Sequence, residues 1–131
     1  MYNSDIEQLL EHVKKELVSI EEQAQKNSIN KVLVKNSLEN LRSILDYSAQ
    51  DIQAILKNRS SSKVPNKVYF PYGQKLNHFR NSIKRNLPGL ADHVPDIYKL
   101  LENIQPFKTN DSWLVDLCEL TNDAKHNNLS K

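Results

Sequence analysis

The last part of the chain groups residues that can perform acid–base chemistry. Asn122, Lys125 and His126 lie within a single five-residue segment. An imidazole beside a lysine tends to stay neutral at pH 7, because the positive charge disfavours its protonation, and a general base must be neutral. The alternative is that Lys125 and His126 stabilise a helix C-terminus through the helix dipole. These residues alone leave both interpretations open.

Residue types that serve other chemistries are scarce. The single cysteine, Cys118, cannot form an internal disulfide, and a lone cysteine in a helical pattern is typical of a hydrophobic core. No cysteine–histidine spacing predicts a zinc site, and no G-x-S-x-G segment predicts a serine nucleophile. Only two glycines are present, which excludes a glycine-rich phosphate loop. We therefore expect neither a cofactor nor a bound metal.

Charge is distributed in blocks along the chain. No acid occurs in residues 52–91, whereas the same segment carries eight lysines and arginines. Each flanking segment carries three more acids than bases, so the net charge of the chain is only +2. One interpretation is a surface for polyanions, and the other is a solvated face whose bases pair with the flanking acids. The candidate nucleic-acid-binding residues are Lys75, His78, Arg80, Lys84 and Arg85.

Aromatic side chains are interleaved with the bases of this segment. Tyr69, Phe70, Tyr72 and Phe79 all lie in its central part. Such rings can stack on the unpaired bases of a nucleic acid. They can equally close one end of a helical bundle, and the sequence does not decide between these roles.

Two long amphipathic helices must position the candidate residues. Apolar side chains recur at three- and four-residue intervals over residues 6–24 and again over 34–56. The first helix is predicted to end at 26–28, and the second to extend from residue 30 or 31 to residue 58. A short polar turn between them makes the pair antiparallel, and contact between their apolar faces stabilises both.

The rest of the chain predicts shorter elements. Residues 59–73 are interpreted as a loop and an extended segment, since Pro71 disfavours helical angles at Phe70. Three shorter helices follow, and Pro106 is expected to stop the second of them. Their apolar positions span residues 76–83, 97–104 and 113–124. The sequence thus predicts an all-α fold, an antiparallel bundle of about five helices, two long and three shorter, forming a single helical-bundle domain over residues 1–131.

Four short segments occur in an order that resembles a known group of proteins. This set is similar to uncharacterised bacterial and phage helical proteins of the HEPN-like superfamily, which occur among toxin–antitoxin, phage-defence and RNA-processing proteins. The segments are LRSILDYSAQDI (41–52), YFPYG (69–73), IQPF (104–107) and LTNDAKHNNL (120–129). The resemblance covers residues 4–129. It implies as site residues Asp46, Asn122, Lys125 and His126, and as structural markers Phe70, Pro71, Gln105 and Pro106.

The chain departs from the active ribonucleases of this superfamily in one respect. Those enzymes carry an arginine, then four to six residues, then a histidine, whereas no arginine stands at that distance before His126. An arginine in this position neutralises the phosphate in the transition state. Arg42 and Arg80 are candidates to replace it from elsewhere in the chain.

Two functional hypotheses follow from these residues. The first is a non-catalytic binding or interaction module, a homodimer, in a defence, toxin–antitoxin or regulatory setting. The missing arginine and the lack of another complete site favour it. The second is an RNA-binding protein or a metal-independent ribonuclease, in which His126 acts as the base and Lys125 stabilises the phosphorane. The expected partners are a second copy of the chain and either RNA or a protein.

The apolar runs of the chain are short. The first residues lack the apolar core of a signal peptide, and no run approaches the ~18 apolar residues of a membrane span. We therefore expect a cytoplasmic protein without membrane contact.

Overall fold

The chain forms a bundle of helices. The computed structural model describes residues 2–26, 31–59 and 64–129, and the side chains of residues 5–23, 34–59 and 64–122. Helices and irregular segments account for all described residues, without a strand, which confirms the predicted all-α fold. The helices are α1 (Tyr2–Lys26), α2 (Lys31–Arg59), α3 (Leu76–Asn86), α4 (Leu90–His93), α5 (Pro95–Asn103), α6 (Pro106–Thr109) and α7 (Trp113–Leu129).

The two long helices, α1 and α2, pack against each other as the apolar periodicity predicts. Four residues separate them along the chain, so they run antiparallel. Helix α7 packs against both. The fully or nearly fully buried positions on the first two helices are Ile6, Leu10, Val13, Leu17, Leu41, Leu45, Ala49, Ile52 and Leu56. Each set recurs every three or four residues, which places it on one helix face.

The shorter helices differ in number from the prediction. Two single-turn helices, α4 and α6, bring the described total to seven instead of about five. The helix before Pro106 ends at Asn103, as expected, and Pro106 is also the first residue of α6. Proline is tolerated there because the first helical residue needs no intrahelical N–H bond. Helix α4 follows Gly89, whose φ of 82° allows the sharp change of direction after α3.

The segment between α2 and α3 is irregular where it is described, as predicted for the loop and extended region. We call residues 69–74 the strap, because they lie between α2 and α3 in the chain and bond to Gln105 after α5 and to Asn122 on α7. Phe70 in the strap is 1% exposed and belongs to the core, whereas Tyr69 beside it is 42% exposed. Of these two neighbouring aromatic residues, Phe70 helps to close the bundle and Tyr69 faces solvent.

Gln105 holds the strap in place. Its side chain is completely buried between α5 and α6. The Oε1 atom accepts a hydrogen bond from the Gly73 N–H at 3.0 Å, and Nε2 donates to the carbonyls of Pro71 at 3.3 Å and Leu101 at 3.0 Å. A buried amide stays favourable only when its donors and acceptors are bonded, and the strap supplies two of the partners.

The strap also comes unusually close to α3. A Cβ atom on Gly73 would lie 2.3 Å from the backbone nitrogen of Phe79, a distance that no side chain can occupy. Glycine is needed here because it lets the two backbones meet. The Phe79 ring is fully buried beneath this contact. None of the helices in the described ranges is long and apolar enough to cross a membrane.

Candidate functional site

A buried arginine joins α2 to α7 beneath the strap. The Nη1 atom of Arg42 lies 2.9 Å from the Cys118 carbonyl oxygen, 3.0 Å from Thr121 Oγ1 and 3.0 Å from Asn122 Oδ1. The Arg42 side chain is only 6% exposed. Three oxygen acceptors at this distance compensate much of the cost of removing a guanidinium from water.

Asp46 balances the positive charge of Arg42. Its carboxylate lies one helical turn after the arginine and 3.4 Å from the arginine Nε. The same carboxylate accepts a hydrogen bond from the backbone N–H of Phe70, with 3.0 Å between the nitrogen and Oδ1. Asp46 therefore connects the arginine to the strap, and its side chain is 16% exposed.

Tyr72 completes this cluster from the strap side. Its hydroxyl accepts a hydrogen bond from Asn122 Nδ2 at 2.9 Å, and its ring faces the Arg42 guanidinium with 5.8 Å from Cζ to the ring centroid. Burial raises the pKa of the Tyr72 hydroxyl above its ordinary value, and the negative charge that Cys118 and Glu119 can carry adds to the rise, while Arg42 opposes it. Tyr72 is thus a neutral phenol at pH 7.

The cluster of Arg42, Asp46, Tyr72 and Asn122 lies at the base of an open groove. We call this the basic groove, and its volume is about 1170 Å³. The strap forms one side, and α3 and α7 form the walls. Its polar and charged lining includes Arg42, Tyr69, Tyr72, His78, Asn81, Ser82, Lys84, Arg85, Asn86, Glu119 and Asn122, and Val115 adds an apolar side chain.

The α3 wall carries a polar stripe. Four polar residues follow one another at helical spacing, so they share the face of α3 that lines the groove. They are His78, Asn81, Ser82 and Arg85. Phe79 and Ile83 lie on the opposite face and are buried in the core. The amphipathicity of α3 therefore leaves His78, Asn81 and Arg85 exposed on the groove side, whereas Ser82 is only 4% exposed.

The α7 wall carries a mixed stripe. Val115, Glu119 and Asn122 line the groove at intervals of four and three residues. Val115 is buried and Glu119 is exposed. Because α7 continues to Leu129, position 126 lies one helical turn beyond Asn122.

The predicted acid–base residues are only partly described. Asp46 and Asn122 meet through Arg42, which each of them contacts. The side chains of Lys125 and His126 lie outside the described residues, so their part in the site stays a prediction.

The predicted nucleic-acid-binding residues divide into two groups. His78, Lys84 and Arg85 line the groove. Lys75 and Arg80 are exposed on α3 and its N-terminal boundary and do not line it. The polyanion interpretation therefore rests on three of the five candidates.

Two residues of the site, Arg42 and Glu119, were not predicted as site residues from the sequence. Arg42 was predicted only as a possible substitute arginine, yet it contacts the LTNDAKH segment directly. Its four-residue spacing from Asp46 was a usable signal for an ion pair on a helix. Glu119 carried no signal, because its place in the groove depends on how α7 is rotated against α3.

Cys118 adds no reactive group to the site. Burial raises the pKa of the Cys118 thiol to about 12, a shift that the nearby Arg42 opposes and that Asp46 and Glu119 increase. The thiol is therefore protonated at neutral pH and is a poor nucleophile. No group of histidine, cysteine and carboxylate side chains capable of holding a metal ion occurs among the described side chains.

Comparison with known proteins adds no further assignment. The chain matches no protein-family model, no curated protein and no solved structure.

Proposed function

We propose that the chain is a non-catalytic binding module and that its basic groove holds single-stranded RNA. The carrying observation is that a segment without acids folds so that His78, Lys84 and Arg85 face one groove beside exposed Tyr69. Basic side chains attract the phosphates of a polyanion, and an exposed ring offers a stacking platform for an unpaired base. The α3 polar stripe supplies further donors.

The state of Arg42 favours binding over catalysis. Its Nη1 already meets three protein oxygens, and Asp46 neutralises its charge. An arginine that stabilises a transition state must present free donors and an uncompensated charge to the phosphate, whereas Nε and Nη1 of Arg42 are occupied and its charge is paired with Asp46. We infer that Arg42 organises the groove and that the groove binds its ligand without cleaving it.

The binding proposal is tested with a fluorescently labelled single-stranded RNA of about 12 nucleotides, a length within the site sizes that single-strand-binding OB folds cover. Fluorescence anisotropy at about 50 mM salt should detect binding, and the affinity should fall steeply as salt rises, because bound phosphates release condensed counterions. Absence of RNA binding at this salt concentration contradicts the proposal.

A pair of double variants locates the binding surface. Lys84→Gln with Arg85→Gln should weaken binding and reduce the slope of log affinity against log salt by about 1.4, since each lost phosphate contact removes about 0.7 on a single strand. The matched control is Lys75→Gln with Arg80→Gln, which removes the same charge from the same segment outside the groove lining. An equal loss of RNA affinity in both double variants would indicate that the RNA is attracted by the overall charge of the segment and not by the groove.

A ribonuclease is the second candidate function. The observation in its favour is that Arg42 contacts Asn122, one helical turn before position 126. In that case His126 is the base that activates a 2′-hydroxyl, and Lys125 stabilises the phosphorane. Cleavage of the same RNA by the wild-type chain, lost in His126→Ala, would replace the binding proposal with this one.

The biological setting and the oligomeric state are also proposals. The resemblance to HEPN-like proteins supports a defence, toxin–antitoxin or regulatory setting. We propose a homodimer, which light scattering at micromolar protein should reveal as twice the chain mass of 15.2 kDa. A mass equal to one chain contradicts the dimer and leaves the groove proposal unaffected.

A further inference from the structure

Glu119 is an acid in a groove whose other charged lining residues are basic. It lies on the groove face of α7, between Val115 and Asn122. Its side chain is exposed, and it lies close enough to Tyr72 to influence the pKa of that hydroxyl. In the described part of the chain, no ion pair or hydrogen bond joins the Glu119 carboxylate to another side chain.

This carboxylate cannot face a phosphate of a bound strand. Two negative charges repel each other, and the repulsion grows as the groove excludes water. An ionised glutamate accepts hydrogen bonds at both oxygens and donates none. The part of the strand that meets Glu119 must therefore offer hydrogen-bond donors. A ribose 2′-hydroxyl offers one donor, whereas a base edge can offer two and so occupy both carboxylate oxygens.

Guanine fits this requirement better than the other bases. Its Watson–Crick edge presents the N1–H and the 2-amino group side by side, so the two carboxylate oxygens can each accept one of two parallel hydrogen bonds. Adenine and cytosine place an acceptor nitrogen beside their amino group, and uracil places carbonyls on both sides of its N3–H. Each of these bases sets an acceptor against one carboxylate oxygen.

We propose that Glu119 makes the groove selective for guanine in an unpaired RNA strand. This inference rests on the RNA binding proposed above. The basic side chains of Lys84 and Arg85 hold the phosphates on the α3 wall. The Glu119 carboxylate on the α7 wall accepts hydrogen bonds from the edge of the guanine. A bidentate contact of this kind discriminates between bases on the order of tenfold or more.

The test compares four RNA strands of equal length by fluorescence anisotropy. The first is all uridine, and the others carry one guanosine, one inosine or one adenosine at the centre. Inosine keeps the N1–H and lacks the 2-amino group, so it removes one of the two proposed hydrogen bonds. The wild-type chain should bind the guanosine strand about tenfold more tightly than the uridine and adenosine strands, with inosine in between.

Glu119→Gln removes the charge and places a donor where one acceptor stood. The variant should lose the guanosine preference and bind the all-uridine strand at least as well as the wild type, because a repulsive charge is gone. The control is Glu11→Gln, the same chemical change at an exposed position of α1 outside the groove lining. It should retain the preference, and circular dichroism should give unchanged thermal midpoints for both variants.

Each outcome separates the two proposals. Wild-type binding to all strands with equal affinity overturns the guanine inference and leaves RNA binding in place. A guanosine preference that persists in Glu119→Gln also overturns it, because another residue then reads the base. Failure of every strand to bind contradicts the proposed function itself.

Discussion

Arg42 Nη1 lies 3.0 Å from Asn122 Oδ1, although 80 positions separate the two residues in the chain. Through this contact the LRSILDYSAQDI segment on α2 meets the LTNDAKHNNL segment on α7. The strap bonds to both segments. Asp46 on α2 accepts a hydrogen bond from the Phe70 N–H, and the Tyr72 hydroxyl accepts one from the side-chain amide of Asn122 on α7. Three of the four segments quoted from the sequence therefore converge at one buried charge, and Gln105 from the fourth holds the strap.

Arg42→Lys should destabilise the fold although it keeps the positive charge. An ammonium cannot reproduce the planar fork that contacts Asp46 on one side and α7 on the other. We expect the free energy of unfolding, measured by urea denaturation, to fall by roughly 3 kcal/mol, because buried acceptors lose their donor. The control is Arg80→Lys on the exposed face of α3, which should change the free energy of unfolding by less than about 0.5 kcal/mol.

Equal stabilities of Arg42→Lys and the wild type would contradict this prediction. Such a result would mean that the Arg42 contacts are replaced by water at no cost. The groove would then lack the rigid base that the RNA-binding proposal requires.

Gln105→Leu should destabilise the chain through the strap. Leucine is similar in size, but the N–H of Gly73 and the carbonyl of Pro71 would lose their buried partner. Each unsatisfied buried group costs about 1–3 kcal/mol, so we expect the loss of these two partners to lower the free energy of unfolding by roughly 2–6 kcal/mol. Gln74→Leu, on the exposed neighbour of the same segment, is the control. A loss as large in Gln74→Leu would show that the strap does not depend on the buried amide.

Gly73→Ala should be more damaging than its size suggests. The added methyl group would lie 2.3 Å from the Phe79 nitrogen, and backbone atoms cannot move aside as a flexible side chain can. The strap or the start of α3 must shift, at a cost of about 1–3 kcal/mol or more. Thermal unfolding followed by circular dichroism should show the lower midpoint. An unchanged midpoint would mean that the strap does not pack against α3 as closely as described.

Much of the fold was predictable because the long helices repeat one simple pattern. Leu10 and Val13 on α1, and Leu45 and Ile52 on α2, are each at most 2% exposed, as their three- and four-residue spacing predicts. A buried stripe of this length leaves little choice of partner, since each long helix can hide its apolar face only against another helix. This part of the structure follows from local sequence.

The candidate site was less predictable, because it depends on contacts between distant segments. Asp46 and Asn122 were named from the resemblance, but nothing in their spacing shows that Arg42 lies between them. Glu119 faces the groove only because α7 packs on α2 with a particular rotation, and side-chain packing in three dimensions sets that rotation. The single-turn helices α4 and α6 were missed because four-residue helices show no apolar period.

The burial of Cys118 should make the stability of the chain depend on alkaline pH. The folded state raises the pKa of this thiol from its ordinary value of 9.0 to about 12, so the folded chain holds the proton more tightly than the unfolded chain. Below about pH 9 both states are protonated, and the thiol has no effect on the pH dependence. Above that value the unfolded state releases the proton first and gains stability. The free energy of unfolding must therefore decrease between pH 9 and pH 12.

Cys118→Ala isolates this effect from other groups that titrate at alkaline pH. In urea denaturation, the wild type should lose about 2 kcal/mol more than Cys118→Ala between pH 9 and about pH 10.5, since each unit of pKa difference corresponds to about 1.4 kcal/mol. The variant also loses a packed sulfur, so a constant offset below pH 9 is expected, and only the change with pH tests the prediction. Parallel curves for the two proteins across this range would contradict it. Such curves would mean that the thiol is no harder to ionise in the folded chain than in the unfolded one, and that Arg42 or water reaches it at the α2–α7 contact.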